Sequence, residues 1–175
     1  MNQPAVALEE SLQRTADICD GSDAEVSVVA TVFRDYGGRS VFSGQIATVK
    51  THEDNALVRE AIERPGLGRV LVVDGGGSLR CALLGGRLAV LAYEQGWRGL
   101  IVFGCVRDAD EMRQVPIGVR ALQTNPLRSP KIGAGQHEIP VRFGDVTFRP
   151  GEFVYADEDG IVLTRSPLQS VSKTS

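Results

Sequence analysis

The chain has 175 residues, of which 42% are apolar and 23% charged, an ordinary balance with enough apolar surface for one core. Its 19 basic and 22 acidic residues leave a net charge of −3, so there is no electrostatic case for direct nucleic-acid binding. No apolar run approaches the roughly 20 residues that span a bilayer, and Met1 to Leu12 lack the basic and apolar regions of a signal peptide, so a cytoplasmic protein is expected.

Taken in chain order, residues 1 to 24 are acidic and predict a short helix around Leu8, Leu12 and Ile18. Two β-rich stretches follow, Val26 to Phe33 and Ser40 to Lys50, separated by the turn Asp35-Tyr-Gly-Gly38. Asn55 to Glu63 places Leu57, Val58, Ala61 and Ile62 on one helical face, with Asp54 or Asn55 as the cap and Pro65 as the stop. Arg69 to Asp74 is a continuous apolar run suited to a strand buried on both faces. It ends at Gly75-Gly-Gly77, and Leu79 to Gln95 reads as helical with a break at Gly85-Gly86. A second buried strand, Leu100 to Phe103, ends at Gly104, so the segment predicts a right-handed βαβ unit with two parallel strands. After Met112 the prolines at 116, 126 and 130 predict a loop-rich stretch. Short β segments return at Ile139 to Phe143, Val146 to Phe148, Phe153 to Tyr155 and Ile161 to Thr164, before a polar tail over 166–175. With no internal repeat and no clear linker, the pattern predicts one α/β domain over 1–175 with its core at about 15–165.

Several chemistries are disfavoured by composition. Cys19, Cys81 and Cys105 are widely spaced and odd in number, so each is expected to be a reduced, buried, small hydrophobe. His52 and His137 are the two histidines, without zinc-site spacing, and neither a Gly-x-Ser-x-Gly elbow nor a complete dinucleotide or Walker glycine pattern is present. A metal bound here would therefore use oxygen ligands, which points to magnesium, manganese or calcium.

Ligands of parallel sheets collect beyond the carboxyl ends of the strands. Both buried strands end unusually, in Asp74-Gly-Gly-Gly-Ser78 and in Gly104-Cys-Val-Arg-Asp108, and the βαβ geometry predicts that these ends are neighbours. Gly85-Gly86 would reopen a helix N-terminus near Arg87-Leu88, where free amides suit a carboxylate or phosphate; a close helix contact is the alternative. Arg107 can hold a carboxylate by two parallel hydrogen bonds, and Asp108 can supply one ligand to hydrated Mg²⁺ or Mn²⁺; a surface ion pair is the alternative. Asp157-Glu-Asp159 before Gly160 reads as a solvated hairpin turn rather than a second acidic site.

The strings Val72-Val-Asp-Gly-Gly-Gly-Ser-Leu-Arg80, Gly96-Trp-Arg-Gly99 and Gly104-Cys-Val-Arg-Asp108 resemble the RraA family. So do Phe33-Arg-Asp-Tyr-Gly-Gly38, Phe42-Ser-Gly-Gln-Ile-Ala-Thr-Val-Lys50, Glu53-Asp-Asn55, Gly144-Asp-Val-Thr-Phe148 and Tyr155-Ala-Asp-Glu-Asp-Gly160. The family includes regulators of ribonuclease E activity and metal-dependent 4-hydroxy-4-methyl-2-oxoglutarate aldolases. An older label, menaquinone methyltransferase, finds no methyltransferase glycine motif here. The resemblance implies a single-domain, swivelling-domain-like α/β sandwich with a central βαβ unit and flanking β segments, assembled as a homotrimer with sites near subunit boundaries.

For function, the resemblance implies a lyase that cleaves oxo acids to pyruvate with Mg²⁺ or Mn²⁺, and oxaloacetate decarboxylation through a shared enolate. Asp108 then binds the metal, Arg107 holds the substrate carboxylate, and Gly85, Gly86, Arg87 and Leu88 supply further substrate contacts. The alternative it implies is a non-catalytic trimer that inhibits a ribonuclease E-type endonuclease. The aldolase pattern also has an acidic residue 21 positions before the motif arginine, where this chain has Gly86. Weak or altered catalysis is expected on that ground, unless another carboxylate such as Asp74 or Asp110 takes over the role.

Overall fold

A computed structural model describes residues 13–21 and 25–168. The predicted N-terminal helix is present as α1 (Thr15–Gly21), while Leu8 and Leu12 lie outside the described residues. Then come β1 (Val26–Val28), β2 (Arg34–Asp35), β3 (Phe42–Lys50), α2 (Ala56–Ile62), β4 (Val70–Asp74), β5 (Ala82–Leu84), α3 (Gly86–Glu94), β6 (Gly99–Val106) and α4 (Ala109–Met112). The chain finishes with β7 (Gly118–Thr124), β8 (Gln136–His137), β9 (Val141–Phe143), β10 (Val146–Phe148), β11 (Phe153–Ala156) and β12 (Ile161–Thr164).

Ten strands form one mixed sheet in the order β1-β12-β11-β3-β4-β6-β7-β2, with β5 added beside β6 and β8 beside β3. Its centre is parallel: β3 pairs β4, β4 pairs β6 and β6 pairs β7. The predicted βαβ unit is thus observed, and the α/β expectation holds. The continuous apolar runs have the two-sided burial they imply. Leu71, Val73, Leu100 and Val102 join a cluster with Leu57, Val58 and Ile62 of α2 and Ala89 and Ala92 of α3. Val70, Val72 and Ile101, one residue out of phase, meet Phe143, Val146 and Phe148 of the β9–β10 hairpin on the other face.

Phe42 locks the centre of the second cluster. Its ring lies over Gly99 and Gly118, and a Cβ at either position would collide with it. Glycine on β6 and β7 is therefore a close-approach requirement rather than a turn signal. Trp97 closes the loop after α3, with its indole N–H shared between the carbonyls of Ile62 (3.3 Å) and Arg64 (3.2 Å).

Four expectations are corrected. Val26 to Phe33 forms a strand only over its first three residues, after which Val29 N–H bonds Ile161 O and the chain turns away from β12. The first part of the predicted helix over Leu79 to Gln95 contains β5, because Ala82 and Leu84 pair with Cys105 and Val106 of an extended β6. Within the loop-rich stretch after Met112 lies β7, whose buried Gly118 to Ala121 continue the parallel sheet. Cys19 is exposed, although Cys81 and Cys105 are buried as expected; burial pushes both of those thiols up, which keeps them in the inert protonated form.

Candidate functional site

β5 and β6 run parallel, so their carboxyl ends emerge side by side. Beyond Leu84 stand Gly85 and α3; beyond Val106 stand Arg107, Asp108 and α4. Arg107 N–H donates to Leu84 O at 2.9 Å, which continues the ladder one step and fixes the two turns against each other. The structure therefore brings Gly85, Gly86, Arg107 and Asp108 together, with Arg87 and Leu88 in the first turn of α3.

Gly85 is extended, with φ −127° and ψ 175°, and acts as the N-cap of α3 without a side chain. Gly86 N–H, one of the amides a helix start leaves without an internal partner, donates to Asp108 Oδ2 at 3.1 Å. A Cβ built on Gly85 would lie 2.8 Å from the same oxygen. Both glycines are thus close-approach positions that bring bare backbone, and the positive end of α3, against the Asp108 carboxylate. Asp108 itself has φ 60° and ψ 46°, left-handed values that aspartate tolerates better than most residues. That twist turns its side chain back toward α3.

Arg107 Nε stands 3.8 Å from Asp108 Oδ2, and both side chains are 40% exposed. The spacing is too long for a hydrogen bond, so the guanidinium keeps its paired donors for another carboxylate. α4 is pinned by the fully buried Met112, whose N–H bonds Asp108 O at 3.0 Å. One turn beyond Asp108, Glu111 brings its carboxylate over Gly86, where a Cβ would collide with Oε2. Neither Asp74 nor Asp110 makes that contact, so Glu111 is the residue the sequence reading missed. The available signal was its i, i+3 spacing from Asp108 in a short helix.

The predicted convergence with the glycine run holds at its near end, where Asp74 pairs with Phe103 and a Cβ on Gly104 would lie 3.7 Å from Ser78 O, but it does not extend to Arg107 and Asp108. Gly75 and Gly77 donate to Phe103 O at 3.1 Å each, within β6 rather than at its end. Because β6 continues to Val106, Arg107 lies roughly 13 Å farther along the strand direction at about 3.3 Å per residue. The glycine run instead helps to line a separate hollow of about 540 Å³ with Lys50, His52, Asp74, Phe103 and Arg142. Next to His52, Glu53 Oε1 ties down the end of the glycine run by accepting from Ser78 Oγ (2.5 Å) and Arg80 Nε (2.6 Å). The Arg80 and Ser78 hydrogen bonds hold the Glu53 carboxyl down at about 2.

Asp157 is a hairpin-turn residue as expected, but it is buried rather than solvated. Its carboxylate accepts from Thr15 N–H and Oγ1 at 2.7 Å each, from Asp159 N–H at 2.9 Å and from Gly160 N–H at 3.3 Å. Glu158 and Asp159 remain exposed. Among the described residues, no group of three or more His, Cys, Asp or Glu is arranged to hold a metal, and no helix is long and apolar enough to cross a membrane.

The RraA-like (Aldolase/RraA) family profile matches residues 15–163. A relative from Aromatoleum aromaticum, provisionally named 4-hydroxy-4-methyl-2-oxoglutarate aldolase, is 54% identical over 89% of this chain and 98% of its own. Among solved structures, the RNA-processing inhibitor RraA from Thermus thermophilis is 48% identical with a TM-score of 0.87, covering 91% of this chain and 97% of that one. A Geobacillus kaustophilus structure titled S-adenosylmethionine: 2-dimethylmenaquinone methyltransferase is 50% identical with the same TM-score, covering 89% and 97%.

Proposed function

We propose, from the premise that the chain belongs to the RraA-like (Aldolase/RraA) family, that it is a divalent-metal-dependent lyase cleaving 4-hydroxy-4-methyl-2-oxoglutarate-type oxo acids to pyruvate. The observation that carries this reading is the corner at the end of β6: a half-exposed carboxylate, the Arg107 guanidinium ion-paired to it at 3.8 Å, and a helix N-terminus within reach of both. The reading includes oxaloacetate decarboxylation and a homotrimer. An open corner with half-exposed Arg107 and Asp108 gains the wall a small substrate needs when a neighbouring subunit covers it.

The donor set suits Mg²⁺ or Mn²⁺. Asp108 offers hard carboxylate oxygens, and Gly85 and Gly86 bring bare backbone against them. Asp108 would be the protein ligand, with water and substrate oxygens completing the shell. When bound, the metal supplies Lewis-acid polarisation of a 2-oxo acid and stabilises the negative charge left by carbon–carbon cleavage.

The chain's own residues bind and orient. Arg107 holds the substrate carboxylate through two parallel hydrogen bonds and fixes its plane. The first turn of α3, from Gly86 through Arg87 to Leu88, turns its positive end toward the substrate's oxygens with Gly85 allowing the approach, although Gly86 N–H is committed to Asp108 and Leu88 N–H to Gly85 O. Gly86 N–H meanwhile fixes the Asp108 carboxylate.

Pyruvate release from 4-hydroxy-4-methyl-2-oxoglutarate and from oxaloacetate tests the reading, measured with Mg²⁺ or Mn²⁺, with EDTA and in Asp108→Ala. Metal-dependent release lost in the variant is expected. Release no faster than the metal-only blank would overturn it. The likeness to the RNA-processing inhibitor favours a second reading, an assembled regulator of a ribonuclease E-type endonuclease. In that case the purified protein slows the endonuclease, and Asp108→Ala slows it equally; no binding at micromolar concentration would count against it.

A further inference from the structure

We propose that Glu111 is the second carboxylate of this site, a positioning residue that holds water on a cation seated at Asp108, and that glycine stands at 86 because the Glu111 carboxylate fills the space a side chain there would occupy. The proposal rests on the metal-dependent reading above and deepens it.

Three observations converge on Glu111. The first is steric: Gly86 is buried, and a Cβ on it would collide with Glu111 Oε2 and lie 3.0 Å from Glu111 Cβ and 3.3 Å from Asp108 Cβ. The space beside Gly86 is therefore already filled by a carboxylate that arrives from α4. The second is positional. Asp108 and Glu111 are three residues apart and project to one side of α4, which Met112 anchors in the core. The third is electrostatic. Both carboxylates converge on the positive end of α3, and among the described residues no Lys, Arg or His side chain pairs with Glu111. A hydrated divalent cation relieves the repulsion between them.

Magnesium and manganese sites commonly combine one or two carboxylates with retained waters, and the groups that orient those waters tune affinity. Asp108, fixed by Gly86 N–H, serves as the direct ligand. Glu111, on a longer and likewise exposed side chain, reaches the outer waters. The carboxylate missing from position 86 in the sequence is thus supplied by the neighbouring helix.

Mn²⁺ titration of the purified full chain, followed by the electron paramagnetic resonance of free Mn²⁺, separates the outcomes. Asp108→Ala should remove binding. Glu111→Gln and Glu111→Ala should weaken it by about 10- to 100-fold, the usual cost of losing an outer-sphere partner. Gly86→Asp combined with Glu111→Ala should recover most of that loss, because the new carboxylate enters the vacated space. Gly86→Ala should weaken binding only while Glu111 is present. Affinity in Glu111→Ala within twofold of the parent would overturn the proposal while leaving the metal reading intact. Failure of the parent chain to bind Mn²⁺ would overturn both. A weakened Glu111→Ala that Gly86→Asp does not restore would overturn the shared-space explanation for glycine.

Discussion

Asp157 and Asp108 both follow strands and both sit in tight turns, yet their surroundings differ in every respect that matters for chemistry. Asp157 is 2% exposed, and its carboxylate takes donors from Thr15, Asp159 and Gly160. Its backbone carbonyl takes a further hydrogen bond from the buried Arg120 (Nη2, 2.9 Å), which also reaches Ser40 O at 2.7 Å. Asp108 has one backbone donor, Gly86 N–H, and a side chain 40% exposed. The Asp157 carboxylate is filled by the fold and can do little else. The Asp108 carboxylate retains the lone pairs that a metal ligand needs. Local sequence makes the two look alike, and the donor count separates them.

The contrast is sharpest when each aspartate is truncated. Asp108→Ala should reduce metal-dependent pyruvate release by more than about 100-fold, beyond the range of an outer-sphere loss. Its thermal midpoint should fall by only about 2–4 °C, the cost of alanine in the left-handed conformation, because few buried donors are stranded. Asp157→Ala should do the reverse. It leaves Thr15 and the turn amides unpaired in a buried place, at a cost of about 3 kcal/mol, or roughly 6–12 °C in midpoint. Mn²⁺ affinity should be unchanged in the protein that remains folded. Equal loss of stability in the two variants, by thermal melts at matched pH, would collapse the distinction.

A milder change refines the chemical side. Arg107→Lys keeps the positive charge but loses the planar pair of donors that matches a carboxylate. We expect about a tenfold rise in KM, the scale of one charged hydrogen bond, with a smaller fall in kcat. A fall in kcat with KM unchanged would place Arg107 outside substrate binding.

The parts of the fold that were legible in the sequence are those whose signal is local. Val70 to Val73 and Leu100 to Phe103 are apolar without interruption because helices cover one face and the β9–β10 hairpin the other. The Gly144-Asp145 and Asp159-Gly160 turns announce themselves by residue type. β5 and β7 were not legible. Ala82 to Leu84 is three residues long, and Gly118 to Thr124 includes Arg120 and Gln123, so neither shows the run of a buried strand. Arg120 is buried all the same, because carbonyls of Ser40 and Asp157 meet its guanidinium from distant segments. The candidate site divides in the same way. Arg107, Asp108 and the two glycines stand out as motifs, while Glu111 gains its place only from the packing of α4 against the start of α3.

The smallest expected effect concerns acid, and it extends the comparison to a third aspartate. Burial of Asp54 disfavours its charged form, but N–H donors from Ala56, Ala134, Gly133 and Ile132 outweigh that and hold its carboxyl below the ordinary 3.8. Asp157 follows the same pattern: burial pushes its carboxyl up, and the Thr15, Asp159 and Gly160 donors bring it down further than that. A carboxyl lowered by folding binds fewer protons in the native than in the unfolded chain, so it contributes stability that is complete above the unfolded value. That contribution disappears as pH falls from about 4 through the lower folded values. Urea midpoints should therefore drop below pH 4, and Asp157→Asn should flatten the drop while lowering the plateau at neutral pH. Asp54→Asn should flatten it in the same direction, since its carboxylate accepts from four backbone N–H groups. A slope that neither substitution flattens would mean that the backbone donors around Asp54 and Asp157 do not favour the charged carboxylates, and the contrast between a carboxylate filled by the fold and one left available at the end of β6 would lose its electrostatic half.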